Sequence, residues 1–116
     1  GASTPEAEDN CAWMAADQLK NFLETGNVKN SVNFPNCEMD FNRKTRIVLA
    51  NKNVPNMVGQ ITTILAQEKI NIADMLNKGK GDVAYNIIDL DSDVSAKVIE
   101  KLKAIDGVIM VRMIKA

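Results

Sequence analysis

The chain has 116 residues, 46% of them apolar and 25% charged, with a formal net charge of -1, the profile of one soluble globular domain with an appendage. A pI near 5.4 lacks the electrostatic footprint of a nucleic-acid binder, and the short basic cluster Arg43, Lys44 and Arg46 reads as a solvated strand start. No apolar run approaches the roughly 20 residues that cross a bilayer, and acidic residues stand where a signal peptide is basic, so a cytoplasmic protein without membrane contact is expected.

Cys11 and Cys37 lie in separate segments and the chain has no histidine, so a zinc site or redox pair would lack ligands, and both cysteines read as reduced thiols. The first residues, Gly-Ala-Ser-Thr without a methionine, suggest a piece of a longer protein. Ser3 or Thr4, followed by Pro5 and the acids Glu6, Glu8 and Asp9, predicts a helix start: hydroxyl cap, proline in the first turn, negative charge at the positive end of the dipole. The helix is expected over 5–25, with Gly26 as its stop. Ala7, Cys11, Met14, Ala15, Leu19, Phe22 and Leu23 form its apolar stripe, widened by Ala12, Trp13 and Ala16. That face is broader than one contact surface needs, and it predicts packing in trans or against a neighbouring copy. Residues 27–42, with Pro35 and several asparagines, hold no sustained period and read as a linker.

From Arg43 the pattern changes to short alternating elements. RIVLA at 46–50 is a strand, and Pro55 opens a helix carrying Met57, Val58, Ile61, Ile64 and Leu65 up to about Glu68. INIADML at 70–76 is a strand whose alternation slips near Ala73 and Asp74, as a bulge or half-covered edge would make it. Lys78-Gly79-Lys80-Gly81-Asp82 is a hairpin turn and VAYNIIDL at 83–90 its partner strand. Ser92 or Asp93 caps a second helix carrying Val94, Val98, Leu102 and Ile105; Gly107 ends it before the strand VIMVRMI at 108–114. The order βαββαβ predicts an α+β, ferredoxin-like fold: a four-stranded antiparallel sheet with two helices on one face, preceded by the long helix and linker.

Asp89, Asp91, Asp93 and Glu100 match positions 1, 3, 5 and 12 of a calcium loop, but Val94 stands where the sharp turn demands glycine. Lys78 to Asp82 lacks the frame of a phosphate loop and joins two strands, so it reads as a surface hairpin. Without histidine, and with carboxylates at caps and exposed faces, the chain is not expected to be an enzyme by itself; no catalytic, cofactor-binding or metal-ligating residue is assigned.

Asn51, Asn53 and Asn71 admit two readings. In the bland one, Asn53 caps the helix, Asn51 ends a strand and Asn71 sits in a loop. In the other, the end of the first strand, the start of the first helix and the start of the second strand bring the three amides around one rim. Helix N–H groups there attract a carboxylate, and amides both donate and accept, which suits a zwitterionic amino acid.

NxNVPNMVGQITTILAxxxINIADM followed by KGDVAYNIIDLD resembles the C-terminal ACT regulatory domain of bacterial D-3-phosphoglycerate dehydrogenases. The upstream GASTPEAEDNCAWMAADQLKNFLETGNVKNSVNFP is similar to the segment that closes the substrate-binding domain of that family. The resemblance implies a boundary between 1–42, the helix and linker from that domain, and 43–116, the ACT domain. It implies L-serine or a similar small amino acid as effector, bound at Asn51, Asn53 and Asn71, with Asn51 standing where serine-inhibited members have histidine and Asn56 where the common turn has glycine. It also implies a homodimer through pairing of the second strands as sheet edges. NAD chemistry on 3-phosphoglycerate would belong to the catalytic domains of a parent chain, with no cofactor held here. The alternative is a purely structural oligomerisation module.

Overall fold

The computed structural model describes residues 16–29, 31, 34–41 and 44–115. The expected helix start at Ser3 to Pro5, together with Cys11 and Trp13, lies outside the described residues. Seven elements follow one another: α1 (Ala16–Thr25), β1 (Thr45–Lys52), α2 (Met57–Gln67), β2 (Ile72–Lys80), β3 (Val83–Leu90), α3 (Ala96–Lys103) and β4 (Val108–Lys115). The four strands form one antiparallel sheet in the order β2-β3-β1-β4, the ferredoxin-like arrangement the pattern predicts.

The central strand β1 carries the apolar run Ile47 to Ala50 because it is covered on both faces; every residue in it except Lys52 is buried. On one face Ile47, Leu49, Ile88 and Leu90 pack under Met57, Ile61 and Leu65 of α2 and Val98 and Leu102 of α3. Each such side chain contributes about 1.5–3 kcal/mol when fully buried. On the other face Val48, Ala50, Tyr85 and Ile87 meet Phe22 of α1 and Val28, Phe34 and Cys37 of the linker.

In the described part of the N-terminal helix, Phe22 packs on the sheet of its own chain; the wider apolar face over 7–16, on which the expectation of packing in trans rests, lies outside the described side chains. The βαββαβ unit leaves this face apolar and without a helix, and the preceding segment of the same chain is its nearest cover. Polar bonds then fix the orientation. Arg112 Nη2 donates to Phe22 O at 2.6 Å, and its guanidinium stacks on the Phe22 ring. Tyr85 Oη donates to Gly26 O at 2.7 Å. Phe22 O also accepts the Gly26 N–H at 2.8 Å, so the end of α1 is closed by its own backbone and by side chains of the sheet together. Gly26 has φ +75 and lies so close to the sheet that a Cβ would fall 2.3 Å from Val48 Cγ1. Glycine is required there by both conformation and space.

Arg46 is not a solvated residue at a strand start. It is fully buried, directly opposite Asp89 in the β1–β3 register. Nε and Nη2 of Arg46 donate to the two Asp89 carboxylate oxygens at 2.5 and 3.0 Å, and Nη1 reaches Thr25 O at 2.9 Å and Asn27 Oδ1 at 3.2 Å. The linker is therefore tied to the sheet by the same group that neutralises a buried carboxylate.

Element boundaries differ in places. β2 continues to Lys80, leaving Gly81 and Asp82 as a two-residue loop with Gly81 at φ +58, the glycine-first form that suits a tight hairpin. The expected slip near Ala73 is present as a register shift between Ile72 and Asp74. The cap of α3 is Ser95, not Ser92 or Asp93; Asp93 instead accepts a hydrogen bond from Thr45 Oγ1 at 2.9 Å.

Arg46→Met should destabilise the chain by about 3–5 kcal/mol, because it leaves Asp89 buried and unpaired. Arg46→Met combined with Asp89→Leu should recover most of that loss, and urea unfolding of the unaltered chain and the two variants measures the difference. Burial also pushes the Cys37 thiol up to about 11, against the opposing charges of Lys78 and Arg46, and raises the Tyr85 phenol. The unfolded chain loses these protons at lower pH than the folded one, so stability falls as pH rises above about 8.5. Melting at pH 8 and pH 10 should show that fall, and Cys37→Ala should lessen it.

Candidate functional site

At the C-terminal end of β1 the chain turns through Pro55 into α2. Asn56, the residue before the helix, has φ 66 and ψ 15, and its side chain makes no capping bond. Asparagine tolerates this left-handed conformation better than other non-glycine residues, which explains how it replaces a turn glycine. The N–H groups of the first turn of α2 carry no side-chain cap bond, and Gly59 leaves room beside them for the Asn56 amide, whose Oδ1 would be 2.8 Å from a Cβ at that position.

These groups border a pocket of about 170 Å³ whose wall includes Asn51, Asn53, Asn56, Gly59, Asn77 and Ala84. That volume is far more than the roughly 10–15 Å³ one water requires. Asn51 is only 2% exposed. Its Nδ2 donates to Lys52 O at 2.6 Å, and its Oδ1 accepts from Asn86 Nδ2 at 2.7 Å. Asn53 is exposed, and its Nδ2 donates to Gly81 O at 3.0 Å while its backbone N–H donates to Asp82 O at 2.9 Å. It braces the β2–β3 loop against the end of β1 and does not cap α2, whose cap is Asn56.

Asn71 lies elsewhere. β2 runs parallel to β1 with β3 between them, so its start falls at the far end of the sheet. Ile72 faces Leu90 of β3, whereas Asn51 faces Ala84. There Asn71 Nδ2 donates to Asp91 Oδ2 at 2.5 Å. Within one chain the structure brings Asn51 and Asn53 together and leaves Asn71 apart, which corrects the expectation of one shared rim on a single copy.

Two further amides were not singled out from the sequence. Asn77 shares the pocket wall, and Asn86, 0% exposed, lies beneath it. The legible signal was an asparagine inside VAYNIIDL, where a strand buried on both faces should be apolar. The carboxylates of the calcium-like pattern serve separate partners: Asp89 holds Arg46, Asp93 holds Thr45, and Glu100 faces Lys103 at 3.9 Å. No helix of the described residues is long and apolar enough to cross a membrane.

No family model matches the chain. It is 29% identical over 116 residues to the D-3-phosphoglycerate dehydrogenase of Escherichia coli strain K12, an alignment covering 98% of the chain and 28% of that relative. The chain thus spans little more than a quarter of the length of the curated relatives it matches. Among solved structures, the ACT domain from the GTP pyrophosphokinase of Chlorobium tepidum superposes with a TM-score of 0.51 at 19% identity, covering 60% of this chain and 95% of that one. The regulatory subunit of aspartate kinase from Thermus thermophilus gives a TM-score of 0.51 at 12% identity, covering 64% of this chain and 52% of that one. The homologues of this chain are D-3-phosphoglycerate dehydrogenases, aligned along nearly its whole length, and its sheet with α2 and α3 has the fold of an ACT domain.

Proposed function

We infer that this chain is the regulatory part of a D-3-phosphoglycerate dehydrogenase, an ACT module that binds L-serine or a similar small amino acid and dimerises through β2. NAD and 3-phosphoglycerate chemistry belongs, on this reading, to the portion of the relatives that the chain does not span. The observation that carries the proposal is the pocket where β1 runs into α2. Amides from Asn51, Asn53 and Asn77 meet the uncapped first turn of a helix there, so an anion-attracting end and several neutral donors and acceptors lie within one small concavity.

The position of Asn71 fits a site completed by a second copy. β2 is an edge strand with an exposed outer row of backbone groups, which pairing with another strand satisfies. Two β2 strands paired antiparallel about Met75 set Asn71 of one copy opposite Gly79 of the other. Gly79 lies directly beside Asn53, whose Nδ2 would be 2.8 Å from a Cβ at that position. Amides separated at opposite ends of one sheet thereby meet across the seam. Ligand contacts would come from both copies, and ligand binding and dimerisation would strengthen each other.

One observation favours the alternative of a purely structural oligomerisation module: each of Asn51, Asn53 and Asn71 has a hydrogen-bond partner within the chain. Calorimetric titration with L-serine, alongside sedimentation, separates the two. The regulatory reading expects saturable heat and a tighter dimer in serine, whereas the structural module expects a dimer indifferent to it. Asn53→Ala and Asn71→Ala should each weaken serine binding by roughly tenfold or more, the equivalent of about 1–3 kcal/mol for a lost polar partner. A drop in the melting temperature of the ligand-free variants with unchanged serine response would assign these side chains to the fold instead.

A further inference from the structure

We propose that Asn77 and Asn86 give the pocket floor a fixed polarity, with Asn86 holding the Asn77 carboxamide so that its oxygen accepts a ligand's ammonium group. This assignment rests on the reading of the pocket as an amino-acid site. It names the residues that would distinguish an amino acid from other small acids.

Three carboxamides form a row across adjacent strands on the face covered by α2 and α3. Asn77 of β2 is directly opposite Asn86 of β3, and Asn86 is opposite Leu49, diagonal to Asn51 of β1. Asn77 Nδ2 donates to Asn86 Oδ1 at 2.5 Å, Asn86 Nδ2 donates to Asn51 Oδ1 at 2.7 Å, and Asn51 Nδ2 donates to Lys52 O at 2.6 Å. Asn86 Nδ2 also donates to Leu49 O at 3.2 Å.

Backbone carbonyls can only accept, and one stands at each of two points in the row. Lys52 O requires the Nδ2 of Asn51 to face it, which turns Oδ1 of Asn51 toward Asn86. Leu49 O requires the Nδ2 of Asn86, which turns Oδ1 of Asn86 toward Asn77. Asn77 must then spend an N–H inward. Reversing any member would set two oxygens face to face beside a buried strand, where an unsatisfied or repelled polar group is costly. The direction of the whole row is thus set by the main chain, and its outer end leaves Oδ1 of Asn77 at the pocket wall.

The rest of the wall suits this end. Among the described residues no charged side chain lines the pocket, so a cation there meets neutral oxygen and is not drawn by a carboxylate. The opposite side is the partly positive first turn of α2. A molecule carrying one positive and one negative group, with no net charge, matches both ends. A simple carboxylic acid satisfies the helix turn alone, and a 2-hydroxy acid offers the Asn77 oxygen only a neutral O–H donor, weaker than the charge-assisted bond of an ammonium. Asn86 is a positioning residue, since it is fully buried and absent from the pocket wall. With an aliphatic side chain at 86, the Asn77 carboxamide could present NH2 or oxygen alike, and the preference for ammonium would be lost.

Calorimetry on the full chain tests this with L-serine, L-alanine and glycine, each paired with the 2-hydroxy acid in which a hydroxyl replaces the ammonium: L-glycerate, L-lactate and glycolate. The unaltered chain should favour the amino-acid member of a pair by at least about tenfold, the scale expected for one lost polar partner. Asn77→Leu and Asn86→Val should cut amino-acid affinity by roughly that factor and hydroxy-acid affinity by clearly less, since a neutral hydroxyl loses a weaker bond than an ammonium, so that the preference shrinks. General destabilisation would weaken both members equally, so the ratio reports the acceptor. Asn77 is on the exposed edge strand, and Asn77→Leu decides the matter if Asn86→Val does not fold. Unchanged preference in the variants overturns this assignment and leaves the effector reading intact. An unaltered chain that binds none of the three amino acids overturns the effector reading and this assignment together.

Discussion

The buried pair of Arg46 and Asp89 is the constraint on which the second layer depends. Removing both charges from water is expensive, and only a geometry that satisfies nearly every donor and acceptor offsets it. The pair meets this condition by spanning two layers. Two guanidinium nitrogens hold Asp89 across the sheet, and the third holds Thr25 O and Asn27 Oδ1 in the segment above. Phe41 also lies against the guanidinium, 4.8 Å from ring centroid to Cζ. If the linker were absent, Arg46 would lose those partners and part of its cover. If Arg46 were absent, Asp89 would be stranded beneath an apolar linker. Sheet register and linker docking are therefore one cooperative event, and β1 is central in position and in energetics alike.

Much of the fold was legible because its signals are local. The strand–helix alternation, the slip at Ala73 and the glycine-marked hairpin follow from periodicity and turn chemistry within a few residues. What escaped were relations between distant positions. Arg46 beside Lys44 resembles an exposed basic cluster until its partner, 43 residues later in the chain, is set opposite it by the β1–β3 register. The apolar stripe of the N-terminal helix announced a partner without saying that Phe22 would meet the sheet following in the same chain. Asn53 and Pro55 looked like a cap and first turn, but the helix begins at Met57 after a left-handed Asn56. The rim of three asparagines was half legible. The sequence places 51 and 53 close together by proximity, whereas the location of 71 depends on strand direction, and β2 starts at the end opposite the pocket.

The site itself follows from the same topology. A helix entered directly from a central strand exposes its first turn at the strand's end, and the β2–β3 hairpin returns to the same end, carrying Asn77 and placing Gly79 beside Asn53. The amide row beneath links three strands with side-chain bonds where the surrounding core is apolar. Its cost is met because both buried members, Asn51 and Asn86, are bonded at nitrogen and at oxygen. A polar row of this kind is sensitive to sheet shear, since sliding one strand by a single residue would invert which side chains face each other. The pocket geometry and the strand register therefore constrain each other.

The fastening of α1 has a mechanical consequence. Its last turn is held by Arg112, Arg46 and Tyr85 at the carbonyls of Phe22, Thr25 and Gly26, while its described start is at Ala16. A rod that turns about a clamp acts as a lever, and ten residues of α-helix measure about 15 Å. A tilt of about 10° at the clamp would carry the far end of such a rod through roughly 2.6 Å, from the 1.5 Å rise per residue. Small adjustments of β1 and β4 would thus be delivered, enlarged, to the start of the helix, without any loosening of the contacts that hold it.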